Sequence, residues 1–133
     1  MGADGAPLID PVIEYRNANV DGLGISVIGG YIYWGSALPQ LYGRYVFGDW
    51  SRAFGRGDGV LLVATPDDTA GALWPFEVLR IAISANGQLG HYLLSFGQDA
   101  EGELYILTTD ATGPSGDTGR VYRITPANDP SGN

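Results

Sequence analysis

The sequence predicts an all-β fold of about eight short strands arranged in two similar units. Its 133 residues include 21 glycines and 8 prolines, a composition that favours many short strands and turns over long helices. Apolar residues do not recur at helical spacing along any segment. The chain also repeats itself weakly. The pattern of residues 43–49 returns 59 positions later at 102–108, and that of residues 59–66 returns 60 positions later at 119–126.

The first unit is predicted to contain four strands. Residues 25–33 carry apolar, β-branched and aromatic side chains on both faces, as in a strand that is buried between two layers. Gly29 and Gly30 interrupt this strand, which indicates a bulge or a close approach of another backbone. Turn-forming residues from Gly35 to Pro39 end it. The other three strands are predicted at 44–50, 59–65 and 77–84.

The second unit supplies only three strands of its own, predicted at 92–97, 103–109 and 119–125. A short strand at Val12–Tyr15, at the opposite end of the chain, is available as its fourth member. The predicted organisation is a disordered segment at 1–9, one module at 10–126 and a disordered tail at 127–133. The predicted core contains Val27, Ile32, Tyr45, Phe47, Leu62, Val63, Leu79, Ile81, Leu94, Phe96, Leu104, Ile106, Val121 and Tyr122.

Composition excludes several classes of function. The chain has 7 basic and 15 acidic residues, a net charge of −8 and a pI near 4.2. Nucleic-acid binding needs a basic face, so this class is excluded. The absence of cysteine excludes disulfides, thiolate catalysis and zinc–thiolate sites. No apolar run is long enough to cross a bilayer, and the first residues, MGAD, contain no signal peptide.

Three ordered segments carry a resemblance to a known family. They run from Gly29-Gly-Tyr-Ile-Tyr33 through Ala37-Leu-Pro39 to Asp49, from Ser95 to Leu107, and from Gly119 to Ile124. Together they resemble the glucose/sorbosone dehydrogenase family. That family includes aldose dehydrogenases that use pyrroloquinoline quinone (PQQ), and a metazoan branch of hedgehog-binding propellers. The resemblance covers residues 10–126 and corresponds to the C-terminal part of the family's six-bladed β-propeller.

With Val12–Tyr15 as the fourth strand of the second unit, the predicted strands give two four-stranded propeller blades per chain. Two blades alone would expose large apolar flanks, which soluble monomers rarely tolerate. We therefore expect self-association, most simply as a homotrimer that completes a six-bladed propeller, with Val12–Tyr15 filling the three-stranded blade of its own chain or of a neighbour. The family also implies a secreted or periplasmic location.

Tyr33 and Trp34 are the candidate cofactor-binding residues. In the resembling family the position of Trp34 is usually an arginine near the central cavity, where it can serve the carboxylates of the quinone. Tryptophan can stack on a flat ring or a sugar face, but it cannot neutralise a carboxylate. This substitution argues against PQQ binding. The alternative is that Trp34 is an apolar plug near a contact between blades.

Asp99, Glu101 and Glu103 form the candidate metal site. Their carboxylates alternate around Gly102, and oxygen ligands at this spacing can converge on a hard cation such as Ca²⁺. The segment is shorter than an EF-hand loop and lacks its terminal bidentate glutamate. A solvated hairpin turn between two strands is the alternative interpretation.

No catalytic residue is assigned. His91 is the only histidine, and no motif places a serine or a second histidine to form a relay with it. The resemblance does not supply the role either, because the family's hydride-abstracting histidine lies in the N-terminal part of the propeller, which this chain does not match. His91 is therefore predicted to be a residue at a loop edge.

The aromatic residues offer a further candidate surface. Trp50 and Trp74, together with several tyrosines, are suited to carbohydrate stacking, although packing between blades is the simpler use. Asp49 is expected to pair with one of the arginines that flank it, Arg44, Arg52 and Arg56.

Two functional interpretations remain open. The first is a glucose/sorbosone dehydrogenase-like module with little or no quinone-dependent sugar oxidation by this chain alone. If it were active, it would be a PQQ-dependent aldose dehydrogenase in which the cofactor performs the redox step. The second is a non-catalytic propeller module that binds a carbohydrate, a cation or a protein. Fold alone does not choose between them, because propellers host many unrelated functions.

Overall fold

The computed structural model describes residues 1–82 and 84–127, and within them the fold is all-β, as predicted. It contains β1 (Val27–Ile32), β2 (Tyr45–Asp49), β3 (Val60–Ala64), β4 (Phe76–Leu79), β5 (Tyr92–Gln98), β6 (Leu104–Thr109) and β7 (Arg120–Arg123). The helical elements in this part of the chain are two single turns of 3-10 helix, Ala18–Val20 and Pro39–Leu41.

The strands form two antiparallel sheets in which strand order follows the chain. The first sheet is β1-β2-β3-β4 and the second is β5-β6-β7. β2 begins at Tyr45 and β6 at Leu104, while β3 begins at Val60 and β7 at Arg120, so equivalent strands keep the offsets of 59 and 60 residues. Both sheets are meanders of the kind that form propeller blades. The prediction of four strands holds for the first sheet, whereas the second has three among the described residues.

The largest core lies between the two sheets. Leu61 and Val63 of β3 face the second sheet, while Leu62 points to the opposite side, and all five residues of β3 are buried. Burial of each large side chain contributes about 1.5–3 kcal/mol. The buried residues of this interface are Tyr33, Leu38, Leu41, Val46, Leu61 and Val63 from the first half of the chain, and Leu93, Phe96, Leu104 and Ile106 from the second.

A second, smaller cluster covers the side of the first sheet that faces away from the second sheet, here called the outer face. Phe47 and Leu62 form its centre, and Tyr45 stacks on Phe47 with ring centroids 5.1 Å apart. Ile13 and Tyr15 pack onto this cluster from the N-terminal segment. An open groove of about 430 Å³ remains between that segment and the sheet.

The predicted strand at Val12–Tyr15 is wrong. The segment joins neither sheet, and its backbone contact is a hydrogen bond of 2.7 Å from the N–H of Trp74 to the carbonyl of Val12. Ile13 and Tyr15 of this segment pack on the outer face through their side chains, and strand pairing does not hold the segment there. The segment therefore does not complete the three-stranded sheet of its own chain.

Four residues of the predicted core are exposed. Val27, Leu94, Val121 and Tyr122 lie at the surface, while Phe47, Leu62, Val63, Phe96, Leu104 and Ile106 are buried as predicted. Val27 belongs to β1, whose residues alternate between exposed and half-buried, so the prediction that this strand is buried on both faces is also wrong. These four side chains lie where neither the other sheet nor the N-terminal segment covers them.

The glycines of β1 have the predicted role. The register with β2 shifts between Ile28 and Tyr31, which places a bulge at Gly29 and Gly30. A Cβ on Gly30 would lie 1.9 Å from the carbonyl oxygen of Val46, whereas one on Gly29 would meet the Tyr45 hydroxyl at an ordinary 3.7 Å. The close backbone approach therefore belongs to Gly30 alone.

The ends of the chain were predicted to be disordered. The segment 1–9 contains a turn in which the N–H of Gly5 donates to the carbonyl of Gly2 over 2.9 Å. Of the predicted tail 127–133, only Ala127 lies within the described residues. No helix in the described ranges has the length and apolar character needed to cross a membrane.

Candidate functional site

Residues 50–58, within the connection between β2 and β3, form a loop that closes on the buried side chain of Ser51. The hydroxyl of Ser51 is fully buried and lies 2.6 Å from the carbonyl of Ala53 and 3.0 Å from that of Arg56, to either of which it can donate. It also accepts hydrogen bonds from the N–H groups of Ala53, at 3.2 Å, and Asp58, at 3.1 Å. One side chain thus satisfies several backbone groups and fixes the shape of the 50–58 loop.

Phe54 stands at the tip of this loop. Its side chain is 66% exposed, although its backbone is held firmly. The hydroxyl of Tyr92, the first residue of β5, donates a hydrogen bond of 2.6 Å to the Phe54 carbonyl. The Tyr92 ring stacks on Trp50 with centroids 4.6 Å apart, and Trp50 lies 5.4 Å from the Phe54 ring. The loop of the first sheet is therefore supported by the second sheet.

Two arginines flank Phe54. Arg52 and Arg56 each place a guanidinium nitrogen 3.7 Å from an oxygen of Asp58, whose carboxylate is buried. The Arg56 side chain is 76% exposed, so this loose ion pair orients the guanidinium while leaving most of its donors to solvent. The loop therefore carries one exposed aromatic ring, with an arginine two positions before it and another two positions after it.

The same end of the molecule collects further arginines. Arg80 follows β4 and Arg120 begins β7, and strand pairing places both at the end where the 50–58 loop lies. With Arg52 and Arg56 this makes four of the chain's seven basic residues. His91, half-buried at the start of β5 as its loop-edge prediction anticipated, pairs with Asp110 there over 2.6 Å.

The opposite end of the sheets contains the predicted cofactor and metal residues. Tyr33 is fully buried, and its hydroxyl donates a 2.7 Å hydrogen bond to the Glu103 carboxylate while accepting one of 2.9 Å from the Leu38 N–H. Glu103 is also buried and accepts from the N–H groups of Ser36, at 2.9 Å, and Ala37, at 3.0 Å. These bonds join the loop after β1 to the hairpin between β5 and β6.

This arrangement controls the ionisation of Glu103. Burial by itself would raise the pKa of Glu103, but the hydrogen bonds from Tyr33, Ala37 and Ser36, helped by the positive charge of Arg123, outweigh it and lower the pKa. Burial and the bond to Glu103 raise the pKa of Tyr33 in turn. Glu103 is therefore a charged group inside the protein whose oxygens already have partners.

Asp99 is similarly engaged. Its carboxylate accepts hydrogen bonds from the N–H groups of Glu101, at 3.0 Å, and Glu103, at 2.9 Å, and from the Tyr105 hydroxyl at 3.1 Å. Desolvation opposes ionisation of Asp99, but these three bonds prevail and its pKa is lowered. Because Asp99 caps the turn and Glu103 points into the interface between the sheets, the described residues contain no group of three acidic or histidine side chains placed to hold a metal. The cation site stays a prediction that this geometry does not support.

The residues predicted to contact a cofactor do not form one surface. Tyr33 has no exposed area, whereas Trp34 is 56% exposed and packs edge-on against Tyr42 with ring centroids 5.1 Å apart. Neither side chain supplies the charge that a carboxylate-bearing quinone needs. The residues present therefore do not fit PQQ, and Trp34 does not plug a contact between blades within this chain.

Asp49 has a role different from the one predicted. It is fully buried and accepts a 2.6 Å hydrogen bond from the Tyr15 hydroxyl, with further bonds from the N–H groups of Ile25, Ser26 and Ser51. The expected pairing with an arginine is wrong, because Arg52 and Arg56 approach Asp58 and Arg44 pairs with Glu77 at 3.0 Å.

Sequence reasoning missed the importance of Phe54. The signal was a single large apolar residue between Arg52 and Arg56, within a segment whose glycines at positions 55 and 57 indicate turns. An apolar residue in such a loop cannot be buried by strand alternation. It was therefore a candidate for exposure.

Comparison with known proteins places this chain near a group of larger proteins. Hedgehog-interacting protein from Mus musculus and that from Homo sapiens are each 31% identical to the chain over 100 residues, which is 74% of the chain. The HIPL1 protein of Arabidopsis thaliana is 29% identical over 129 residues. The chain spans 13% of the length of the two Hedgehog-interacting proteins and 16% of HIPL1. No protein-family model matches the chain.

Proposed function

We propose that this chain is a non-catalytic, propeller-type module that binds another protein through the 50–58 loop. The observation that carries the proposal is the exposed Phe54 ring, fixed by its backbone between Arg52 and Arg56. Aromatic residues and arginine are enriched at protein interfaces, and a few such anchors usually supply most of the binding energy. A loop that is ordered before binding loses little entropy on association.

The residues of the loop also indicate which kind of surface the partner would need. An exposed phenyl ring needs an apolar pocket, and the guanidinium of Arg56 needs carboxylates at the rim of that pocket. Asp58 and Asp110 lie at the same end as the four arginines, so the attraction for an acidic patch would come from the exposed Arg56 guanidinium and not from a net positive charge of this end.

The comparisons support the class of partner. The name of the similar Hedgehog-interacting protein records an interaction with Hedgehog, a protein ligand. We extend this to the present chain as a proposal only, since the similarity covers a small part of that protein. A protein partner is favoured over a sugar because the best-presented aromatic residue, Phe54, is accompanied by guanidinium groups and not by the hydroxyl and amide groups typical of sugar sites.

The binding test uses purified Hedgehog protein as the probe against the immobilised chain, at physiological salt. We expect measurable binding that Phe54→Ala weakens at least about ten-fold, since an interface hot spot contributes ~2 kcal/mol or more. Arg56→Ala should weaken it and also reduce its dependence on ionic strength. Tyr42→Ala is the matched control, because Tyr42 is a similarly exposed aromatic at the opposite end.

Two outcomes would count against the proposal. Equal binding by the Phe54→Ala and wild-type chains would remove the 50–58 loop from the interface. Absence of binding to Hedgehog by a folded wild-type chain would remove the partner class taken from the comparisons.

The rival interpretation, quinone-dependent sugar oxidation, has its own test. We propose that the chain alone has little or none of this activity, because Trp34 stands where the resembling family usually has arginine, and because the family's hydride-abstracting histidine lies in a part of the propeller that this chain does not match. The assay adds PQQ and Ca²⁺ and follows dye reduction with glucose and other aldoses. Turnover of ~1–10³ s⁻¹, as in an ordinary enzyme, would overturn the non-catalytic part of the proposal.

A further inference from the structure

The second sheet ends in an open strand. Within the described residues no strand pairs with the outer edge of β7, whereas the equivalent strand of the first sheet, β3, is covered by β4. The N–H of Ile124 donates to the carbonyl of Leu104 over 2.9 Å, so the alternation of an antiparallel strand directs the backbone groups of Val121 and Arg123 away from β6. Such an edge is a template for another extended segment.

The chain also contains a short segment without regular secondary structure that the described structure leaves unpaired. Residues 7–11 lie outside every strand, and within the described part of the chain their backbone makes no hydrogen bond to backbone. Leu8 is 72% exposed and Ile9 is 96% exposed. Burial of these two adjacent and largely exposed aliphatic side chains would stabilise a contact that covers them.

The prolines of this segment suit an edge strand. In a strand that includes residues 7–11, the backbone groups of Leu8 and Asp10 point to one side, and those of Pro7, Ile9 and Pro11 point to the other. If the segment pairs through the backbone groups of Leu8 and Asp10, then Pro7 and Pro11, which lack an N–H, face solvent. This is the side of an edge strand on which proline is tolerated. This pairing also stops further strands from adding.

Charge is complementary between the segment and β7. Leu8 and Ile9 lie between Asp4 and Asp10, while the central residues of β7, Val121 and Tyr122, lie between Arg120 and Arg123. Both β7 arginines are exposed. Opposite charges across neighbouring strands favour pairing, and like charges oppose it.

The position of the segment points to a second copy as its acceptor. Residues 12–15 are anchored on the outer face by the bond from Trp74 to Val12 and by that from Tyr15 to Asp49. This face is directed away from the chain's own second sheet. The preceding residues 7–11 consequently start on the side where the second sheet of a neighbouring copy would have to stack.

We propose that residues 7–11 of one copy add to the open edge of β7 in a second copy, as the fourth strand of its second sheet. Each copy donates its own segment to one neighbour and accepts the segment of another, so the contact is head-to-tail. Such contacts close into a ring when the rotation between successive copies is a whole fraction of a turn. With two sheets per copy, three copies would place six sheets in one ring. The contact is independent of the 50–58 loop.

The test measures the mass of the whole chain by light scattering at micromolar concentration. The wild type should exceed the 14.1 kDa of one chain, with three such masses as the expected closed form. Leu8→Lys should return it to a single chain, because it replaces an apolar contact with a charge of the same sign as Arg120 and Arg123. Tyr42→Lys adds the same charge to a similarly exposed position outside the contact, and it should leave the mass unchanged.

A second variant tests the acceptor strand. Val121→Pro removes an N–H that points away from β6, so it should abolish association while the chain keeps its folded circular dichroism spectrum. A synthetic peptide of residues 4–12 should compete with the wild-type contact. A wild-type chain of 14.1 kDa would overturn the proposal, and so would an oligomer that persists in both Leu8→Lys and Val121→Pro.

Discussion

The hydroxyl of Tyr33 lies 2.7 Å from the carboxylate of Glu103, a residue seventy positions later in the chain, and this bond ties the first sheet to the second. Removing Glu103 as Ala would leave a buried hydroxyl and two amides without an acceptor, so we expect a loss of about 3 kcal/mol in the free energy of unfolding. Tyr33→Phe should cost less, roughly 1–2 kcal/mol, because Glu103 keeps the amides of Ser36 and Ala37. Urea denaturation measures both.

A double-mutant cycle tests whether the two residues act together. The losses in Tyr33→Phe and Glu103→Ala should sum to more than the loss in the double variant, since each single change removes the same bond. Strict additivity would show that Tyr33 and Glu103 contribute separately.

The lowered pKa of Glu103 predicts a loss of stability in acid. Its pKa in the folded state lies below the ordinary 4.5, so its contribution is complete above pH 4.5 and is lost as the pH falls through the folded-state pKa. The free energy of unfolding should therefore fall less steeply below pH 4.5 in Glu103→Gln than in the wild type. Parallel pH profiles of the two proteins would contradict this assignment.

The raised pKa of Tyr15 predicts a loss of stability in alkali, at the opposite end of the pH profile from Glu103. Burial, the hydrogen bond to Asp49 and the charge of Asp49 raise the pKa of Tyr15 well above its ordinary 10.0. Its contribution is therefore complete below pH 10.0 and is lost as the pH rises towards the folded-state pKa. Tyr15→Phe should cost about 1 kcal/mol at neutral pH and flatten the alkaline limb. The check is thermal unfolding from pH 8 upward, and an unchanged limb in the variant would contradict the prediction.

The adjacent glycines of β1 offer a matched pair of substitutions. Gly30→Ala should lower stability by at least about 2 kcal/mol, because its Cβ would overlap the Val46 carbonyl, 1.9 Å away. Gly29→Ala should change stability by less than about 0.5 kcal/mol, since Gly29 is exposed and its Cβ would have room. Equal effects of the two substitutions on the melting temperature would be inconsistent with the bulge.

A substitution of Asp99 distinguishes a structural turn from a cation site. Asp99→Ala removes the acceptor of two amides and the Tyr105 hydroxyl, so the melting temperature should fall by the same amount with and without millimolar Ca²⁺. If Ca²⁺ instead raised the melting temperature of the wild type and not that of the variant, the predicted site at Asp99, Glu101 and Glu103 would be supported.

Local pattern predicted the strands well but not what covers them. All seven observed strands overlap predicted ones, since alternation, β-branched residues and turn glycines are local properties. Val12–Tyr15 shows the limit, because the same apolar alternation serves a segment that packs on a sheet and one that pairs within it. Val27 and Val121 have the residue type of a core position, but their exposure depends on which faces receive a second layer.

The candidate site was less predictable, since its contacts join distant parts of the chain. The partners of Asp49 and Glu103 are Tyr15 and Tyr33, 34 and 70 positions away, whereas sequence proximity suggested arginines and a cation. Buried carboxylates take whichever donors the fold brings to them. The fixed backbone of Phe54 likewise depends on Tyr92, which belongs to the other sheet.

The agreement between strand order and chain order has a kinetic consequence. Every pairing in either sheet joins neighbours in the sequence, so each meander can form hairpin by hairpin with only short loops to close. The step that brings remote segments together is the docking of the two halves, and this step should limit the folding rate. During synthesis, the first four strands can pair before β5 has left the ribosome.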